Sequence, residues 1–332
     1  MPEKLRLPPR PAALAALLLL LLLRPVPARG YARIITLGAP AVEIVFALGL
    51  GEAVIARGKW DLWPPAARAL PQVGTASQLN LELILSLKPD LLVADRSFAG
   101  AAGRLAGRSI PVFTFSAYNT QEVIPAVLLL AEKLGREERG RELAAELASM
   151  LELAERRLAP LPPEKRPGVL ALAGTRAYYS FSDRSGWRFV EFSGGRNLCA
   201  DWESAFPSIT PEWLAAARPD FVLLYPYRTD YAEDEREAFL RKTWEETRSG
   251  GHLSKVEAVR QGRLVVLDDL LTFGLRSVPG VLFLSKKLHP ELFADLDAEA
   301  LHREFLLKYF AYSPRGGHIY PGFEPRRETC AP

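Results

Sequence analysis

The stretch Leu79–Ala94, LNLELILSLKPDLLVA, returns in outline as Ile209–Leu224, ITPEWLAAARPDFVLL. Glu82, Pro89 and Asp90 line up with Glu212, Pro219 and Asp220, each 130 residues further along. In the first copy Asn80 is placed to cap a short helix, and Glu82 falls in the first turn, where unpaired backbone amides favour an acid. Pro89 ends that helix, and the strand that follows is too apolar to be an exposed edge. Solenoid repeats recur every 20 to 50 residues or so. A repeat this much longer predicts two lobes of like construction.

The segments around the repeat supply the rest of each lobe. RIITLGAP from Arg33 reads as a strand closed by Gly38, and AVEIVFALGLG as a helix with Val42, Val45, Phe46 and Leu48 on its apolar stripe. AVIARG and IPVFTF add strands, so strand and helix alternate as in an α/β lobe with a mainly parallel sheet over residues 31–118. From 119 to 160 the chain is nearly all helix-forming, interrupted at Gly135, and Glu137–Leu158 alone would span about 33 Å. This segment is expected to join the lobes as one long backbone helix. PLPPEKRP marks the crossing, GVLALAG opens a second lobe over 167–310, and residues 311–332, rich in Gly, Pro and Arg, are expected to be a flexible tail. The fold class is therefore α/β, with two Rossmann-like lobes and a ligand cleft between them, outside the carboxyl ends of the strands.

Residues 1–28 read as a secretory signal: a basic opening, the apolar run Ala12–Leu23, and small residues at Val26 and Ala28 before a cleavage point. The run is shorter than the roughly 18 residues a membrane-spanning helix needs. No cysteine lies near the cleavage point, so the expected product is periplasmic and not lipidated. Cleavage removes Lys4, Arg6, Arg10 and Arg24 with Glu3, leaving equal numbers of basic and acidic residues. That balance excludes the enduring basic surface of a nucleic-acid binder. Cys199 and Cys330 are the only cysteines, and an exported chain can hold them as a disulfide or as two thiols. His252, His289, His302 and His318 are too few and too scattered for a histidine-built metal centre.

With these elements in this order, the chain resembles the helical-backbone substrate-binding proteins that serve ATP-driven importers of cobalamin, haem, ferric siderophores and, in some branches, oxyanions. The resemblance rests on RIITLGAPAVEIVFALGLG, LPQVGTASQLNLELILSLKPDLLVA, FVEFSGGRNLCA, ITPEWLAAARPDFVLL and LHPELFADLD, which cover most of Arg33–Asp297 in sequence. It implies that Glu82 and Glu212, one on the rim of each lobe, meet arginines of a membrane-embedded permease dimer with its ATPase subunits. A two-fold partner needs two like contacts, and one acid per lobe supplies them. It also implies a monomer with no cofactor of its own, carrying a metal chelate as cargo.

Cleft candidates sit in the loops after the strands. They are Trp60, Trp63, Arg96 and Tyr118 in the first lobe, and Arg176, Tyr178, Tyr179, Trp187, Tyr225, Tyr227, Arg228 and Arg276 in the second. Flat aromatic faces suit a macrocycle or an aryl chelate, and arginines suit carboxylates. Tyr178 and Tyr179, adjacent in an extended segment, should point to opposite sides. Relatives often carry a tyrosine directly before the proline pair, where this chain has Trp63, which cannot ligate iron. The expected cargo is thus an anionic iron chelate of siderophore type, with haem, cobalamin or an oxyanion as alternatives. No G-x-S-x-G elbow, H-E-x-x-H helix or phosphate loop is present, so the rival reading, an exported hydrolase, has no motif behind it, and a non-transport scaffold is the other alternative.

Overall fold

A computed structural model describes residues 30–106, 110–174, 178–226 and 235–322. The leader, Arg176, Tyr227, Arg228 and Cys330 lie outside the described residues.

The first lobe runs β1 (Ile34–Leu37), α1 (Ala39–Ala47), β2 (Val54–Arg57), α2 (Leu81–Ser86), β3 (Leu91–Asp95), α3 (Ala99–Ala106) and β4 (Val112–Phe115). Its four strands are all parallel, in the order β2-β1-β3-β4. Two helices follow, α4 (Thr120–Leu134) and α5 (Glu137–Leu158). The second lobe continues through β5 (Gly168–Ala173), α6 (Phe189–Phe192), β6 (Arg196–Asn197), α7 (Pro211–Ala217), β7 (Phe221–Tyr225), α8 (Arg236–Ser249), α9 (Glu257–Arg260), β8 (Leu264–Leu267), α10 (Ser277–Leu288), α11 (Ala298–Phe310) and β9 (Ile319–Tyr320). Its sheet has the order β6-β5-β7-β8-β9, parallel except for β9, which runs against β8.

Alternation along the strands divides the apolar residues into layers. Ile35, Leu37, Leu92 and Ala94 face an outer core under α2 and α3, and Leu170, Leu172, Val222 and Leu224 face the corresponding outer core of the second lobe. The intervening residues, Ile34, Leu91 and Val93 in one sheet and Val169, Ala171 and Leu223 in the other, belong to one inner core that both lobes share. The helices between the sheets complete it, with Val127 and Leu130 of α4, Leu143 and Leu147 of α5, and Val281 and Leu282 of α10.

Both copies of the repeat end on an aspartate that anchors the first strand of its sheet. The Asp90 carboxylate accepts from the N–H groups of Ala32 and Arg33 at the start of β1, and Asp220 accepts from Gly168 N at the start of β5. Lys88 and Arg218, each preceding the repeated proline, are both left-handed, with φ of 46° and 42°. That region is costly for a residue with a Cβ, and here it serves to end α2 and α7.

The long helix expected between the lobes is present as α5, Glu137–Leu158, and Gly135, in a left-handed cap with φ of 65°, separates it from α4. Of the stretch expected to be a flexible tail, the described residues 311–322 include a strand: β9 pairs with β8, and His318 is buried against Arg236. A short antiparallel strand satisfies the open edge of β8, a contact between residues too far apart for local composition to reveal.

α4 and α5 approach closely at Gly140, where an added Cβ would fall 2.1 Å from that of Ala131. Alanine normally favours a helix over glycine by roughly 1 kcal/mol. Gly140→Ala should nevertheless destabilise by about 1–3 kcal/mol, the usual cost of overpacking. Urea denaturation measures it, and a stabilised variant would contradict the packing described.

Candidate functional site

The carboxyl ends of the two sheets meet. Tyr118, just after β4, stacks on Phe273, just after β8, with ring centres 4.4 Å apart and planes at 28°. The backbone joins at the same place, where Gly274 N–H donates to Tyr118 O at 3.0 Å. Behind Phe273 lie Phe181, Tyr225 and Trp187, with ring centres 5.8, 5.9 and 6.3 Å from it. Phe206, 55% exposed, stands edge-on to Phe181 and Tyr179. The result is a partly exposed aromatic wall of Tyr118, Tyr179, Phe206 and Phe273 over a buried base of Phe181, Trp187 and Tyr225. Tyr178 packs against the outer core of the second lobe, while Tyr179 packs on the inner one, so the two do point to opposite sides.

On the first lobe, Asp61 shapes the edge of the site. Its Oδ2 accepts from Gly38 N–H at 2.7 Å and Gly58 N–H at 3.0 Å, tying the end of β1 to the turn after β2. Gly58 is needed for this approach, since a Cβ there would lie 2.4 Å from the same oxygen. Asp61 is 3% exposed, and burial pushes its carboxyl up to about 6 against the pull of both N–H groups. The turn leaves Trp60 59% exposed, with the Lys59 ammonium 4.7 Å from its ring centre.

Trp63 turns the other way. It is buried edge-on to Tyr312 and Phe310, with the Arg276 guanidinium 4.2 Å over its face. Arg276 in turn donates from Nη2 to Glu43 Oε1 at 2.8 Å, a pair linking α1 of the first lobe to the segment entering α10 of the second. Behind it, Arg236 Nε lies 3.0 Å from Asp268 Oδ2, and its Nη1 is 3.0 Å from His318 Nε2. Burial pushes the Glu43 carboxyl up, and burial together with the adjacent Asp268 pushes Asp269 well up. Burial and the nearby guanidiniums hold His302 and His318 well below the ordinary imidazole value, so both are neutral.

These placements revise the sequence picture. Trp63, Trp187, Tyr225 and Arg276 are inside the protein, Tyr225 as the last residue of β7, and contacts with distant segments cover the side chains. Arg96 remains exposed, 3.8 Å from Glu122. Phe206, Phe273 and Asp61 were not among the sequence candidates. Phe273 could have been noticed in LLTFGLR, three residues before Arg276, whereas nothing local distinguishes Asp61. Among the described residues, no three His, Cys, Asp or Glu side chains converge as a metal site.

Glu82 and Glu212 are both exposed, second in α2 and α7. Asn80 Oδ1 caps the first helix on Leu83 N–H at 2.9 Å, and Thr210 Oγ1 caps the second on Trp213 N–H at 3.3 Å. Cys199 is buried, and burial pushes its thiol up.

Residues 34–271 match the family described as periplasmic binding protein. The chain belongs to that family. It is a periplasmic solute-binding protein of the kind that serves ABC importers, a transport role rather than a catalytic one. It is 29% identical over 197 residues to the vitamin B12-binding protein of Photorhabdus laumondii, covering 58% of this chain and 70% of the relative. The apo periplasmic heme-binding protein RhuT of Roseiflexus sp. RS-1 is 25% identical, with a TM-score of 0.66 over 79% of this chain and 100% of the other. A periplasmic heme-binding protein from Pseudomonas aeruginosa is 26% identical, with a TM-score of 0.65 over 79% and 94% of the two chains.

In this periplasmic binding protein, Asp61 makes stability depend on pH. Its folded pKa lies above the unfolded one, so between pH 4 and 6 the folded chain holds a proton that the unfolded chain has released, and stability falls as pH rises through that window. The span corresponds to a loss on the order of 3 kcal/mol. Asp61→Asn should flatten the decline, as read from denaturation midpoints across the range; an unchanged slope would mean that Asp61 does not titrate there.

Proposed function

We propose that this protein captures a flat tetrapyrrole-type macrocycle, haem or a cobalamin, between its lobes and hands it to an ABC importer. The observation that carries this reading is the aromatic wall closed across the lobes by Tyr118 on Phe273, with Phe206 and Trp60 exposed beside it. Offset aromatic faces contribute about 0.5–1.5 kcal/mol each beyond buried area, and a broad ring system can use several at once. Arg276 is committed to Glu43, which weakens the case for an anionic siderophore, and the relatives described as binding heme or vitamin B12 support the macrocycle. Tyr118 and Tyr179 bring phenol oxygens to the wall, and phenolate is a known donor to haem iron.

Titration with hemin, cyanocobalamin and a ferric siderophore, followed by absorption, tests the reading. A saturable shift of the Soret or corrin bands is the expected result, and saturation by the siderophore alone would overturn it. Phe206→Ala should weaken macrocycle binding about fivefold, the equivalent of one stacking contact.

Delivery is assigned to Glu82 and Glu212. Their exposure on matching helices supports docking to a two-fold partner. Exposed ion pairs contribute only about 0.2–1 kcal/mol each, so they guide association more than they hold it. Glu82→Ala with Glu212→Ala should leave cargo affinity unchanged and slow cargo-dependent stimulation of the importer's ATPase several-fold; a loss of cargo affinity instead would place these acids elsewhere in function.

A further inference from the structure

The second lobe carries a basic groove beside its copy of the repeat. It has a volume of about 470 Å³ and runs between the flank of α7 and the segment from His252 to Arg263. Leu214 and Val256 give it an apolar wall, while Arg218, Lys255, Arg260 and Arg263 give it charge. Its two acids are already engaged within the chain: Asp220 accepts from Gly168 N–H at 2.6 Å, and Glu257 binds Arg260 and Gln261. Among the described residues, Arg218 and Lys255 have no acidic partner, so the groove keeps an excess of positive charge.

Arg260 also lines a second groove of about 410 Å³, where the Arg248 guanidinium lies 4.3 Å over the ring of Trp244. The two meet at Arg260, and the second is lined by Glu245 as well as by Arg248, so the excess of positive charge lies mainly in the first, a basic channel. α7 has Glu212 near its start and Arg218 at its end, so opposite charges stand about 10 Å apart along one short helix.

We propose that this channel receives a protruding acidic segment of the importer's outward face, beside the Glu212 contact. The inference rests on the docking reading above. A bilayer surface is flat, whereas Arg263 is half-buried, with its Nε donating to Asp220 O at 2.7 Å. Arg218, Lys255 and Arg260 are exposed along the groove, with Leu214 and Val256 between them, and a concave surface of that kind fits an inserted chain segment better than a plane of headgroups. Alternating charge also excludes partners that lack the complementary order.

The test uses the full mature protein and its importer, permease with ATPase, in nanodiscs of zwitterionic lipid. Arg218→Glu with Lys255→Glu should bind at least tenfold more weakly at 50 mM salt and lose most of the wild-type salt dependence. Cargo affinity and melting temperature should match wild type, and Arg218→Gln with Lys255→Gln should fall between the two. Wild-type docking by the charge-reversed protein, alongside weakened docking by the Glu82→Ala, Glu212→Ala protein, would overturn the channel while leaving the docking reading intact. If neither variant docks more weakly, the docking reading fails and the channel with it. Loss of binding confined to vesicles containing anionic lipid would assign the channel to the bilayer and overturn the proposal.

Discussion

Glu43 and Arg276 meet 2.8 Å apart with almost no exposure to solvent, and the organisation of the molecule follows from that contact. Neither charge would be tolerated there alone, since breaking a buried pair by removing one partner costs about 3–5 kcal/mol. Glu43 belongs to the first helix after β1 and Arg276 to the turn before α10, so the requirement fastens one lobe to the other. Trp63 covers the guanidinium, Thr120 Oγ1 donates to Ser277 Oγ at 2.9 Å, and Gly274 bonds to Tyr118. A wide rotation of the lobes would have to separate all of these. The shared inner core adds to that resistance, because α5 also binds the second lobe through Arg157 on Asp295 and Glu146 on Tyr309.

Within that frame, the two halves are alike where support is needed and different where recognition occurs. Asp90 and Asp220 anchor the first strand of each sheet in the same way, and the left-handed Lys88 and Arg218 end equivalent helices. The ligand-facing loops share no such likeness. The first lobe contributes Tyr118 and the exposed Trp60; the second contributes most of the aromatic wall and its base. A cleft built in this way suits a cargo with two unlike faces or edges, which accords with a substituted macrocycle. The family relationship accounts for the architecture and the transport role.

The repeat was legible because it is local: cap, acid, proline and aspartate act within a few residues of one another, and 3.6-residue and two-residue periodicities survive in a single chain. The long helix Glu137–Leu158 and the break at Gly135 before it were legible for the same reason, although not the close packing of α4 on α5. Sequence alone also proposed loops after the strands as the place of the site. It did not sort their side chains.

Trp60 and Trp63 show why. They are three residues apart in one loop, equally aromatic, and nothing nearby separates them, yet one is mostly exposed and the other buried beneath Arg276, Phe310 and Tyr312. Arg96 and Arg276 diverge likewise, one at the surface and the other paired with a glutamate 233 residues away in sequence. The sequence by itself determined the elements, their order and their doubling, because those depend on short-range hydrogen bonding and apolar periodicity. Tertiary structure decided which aromatic and charged side chains face the cleft, because burial is set by whichever distant segment arrives to cover them.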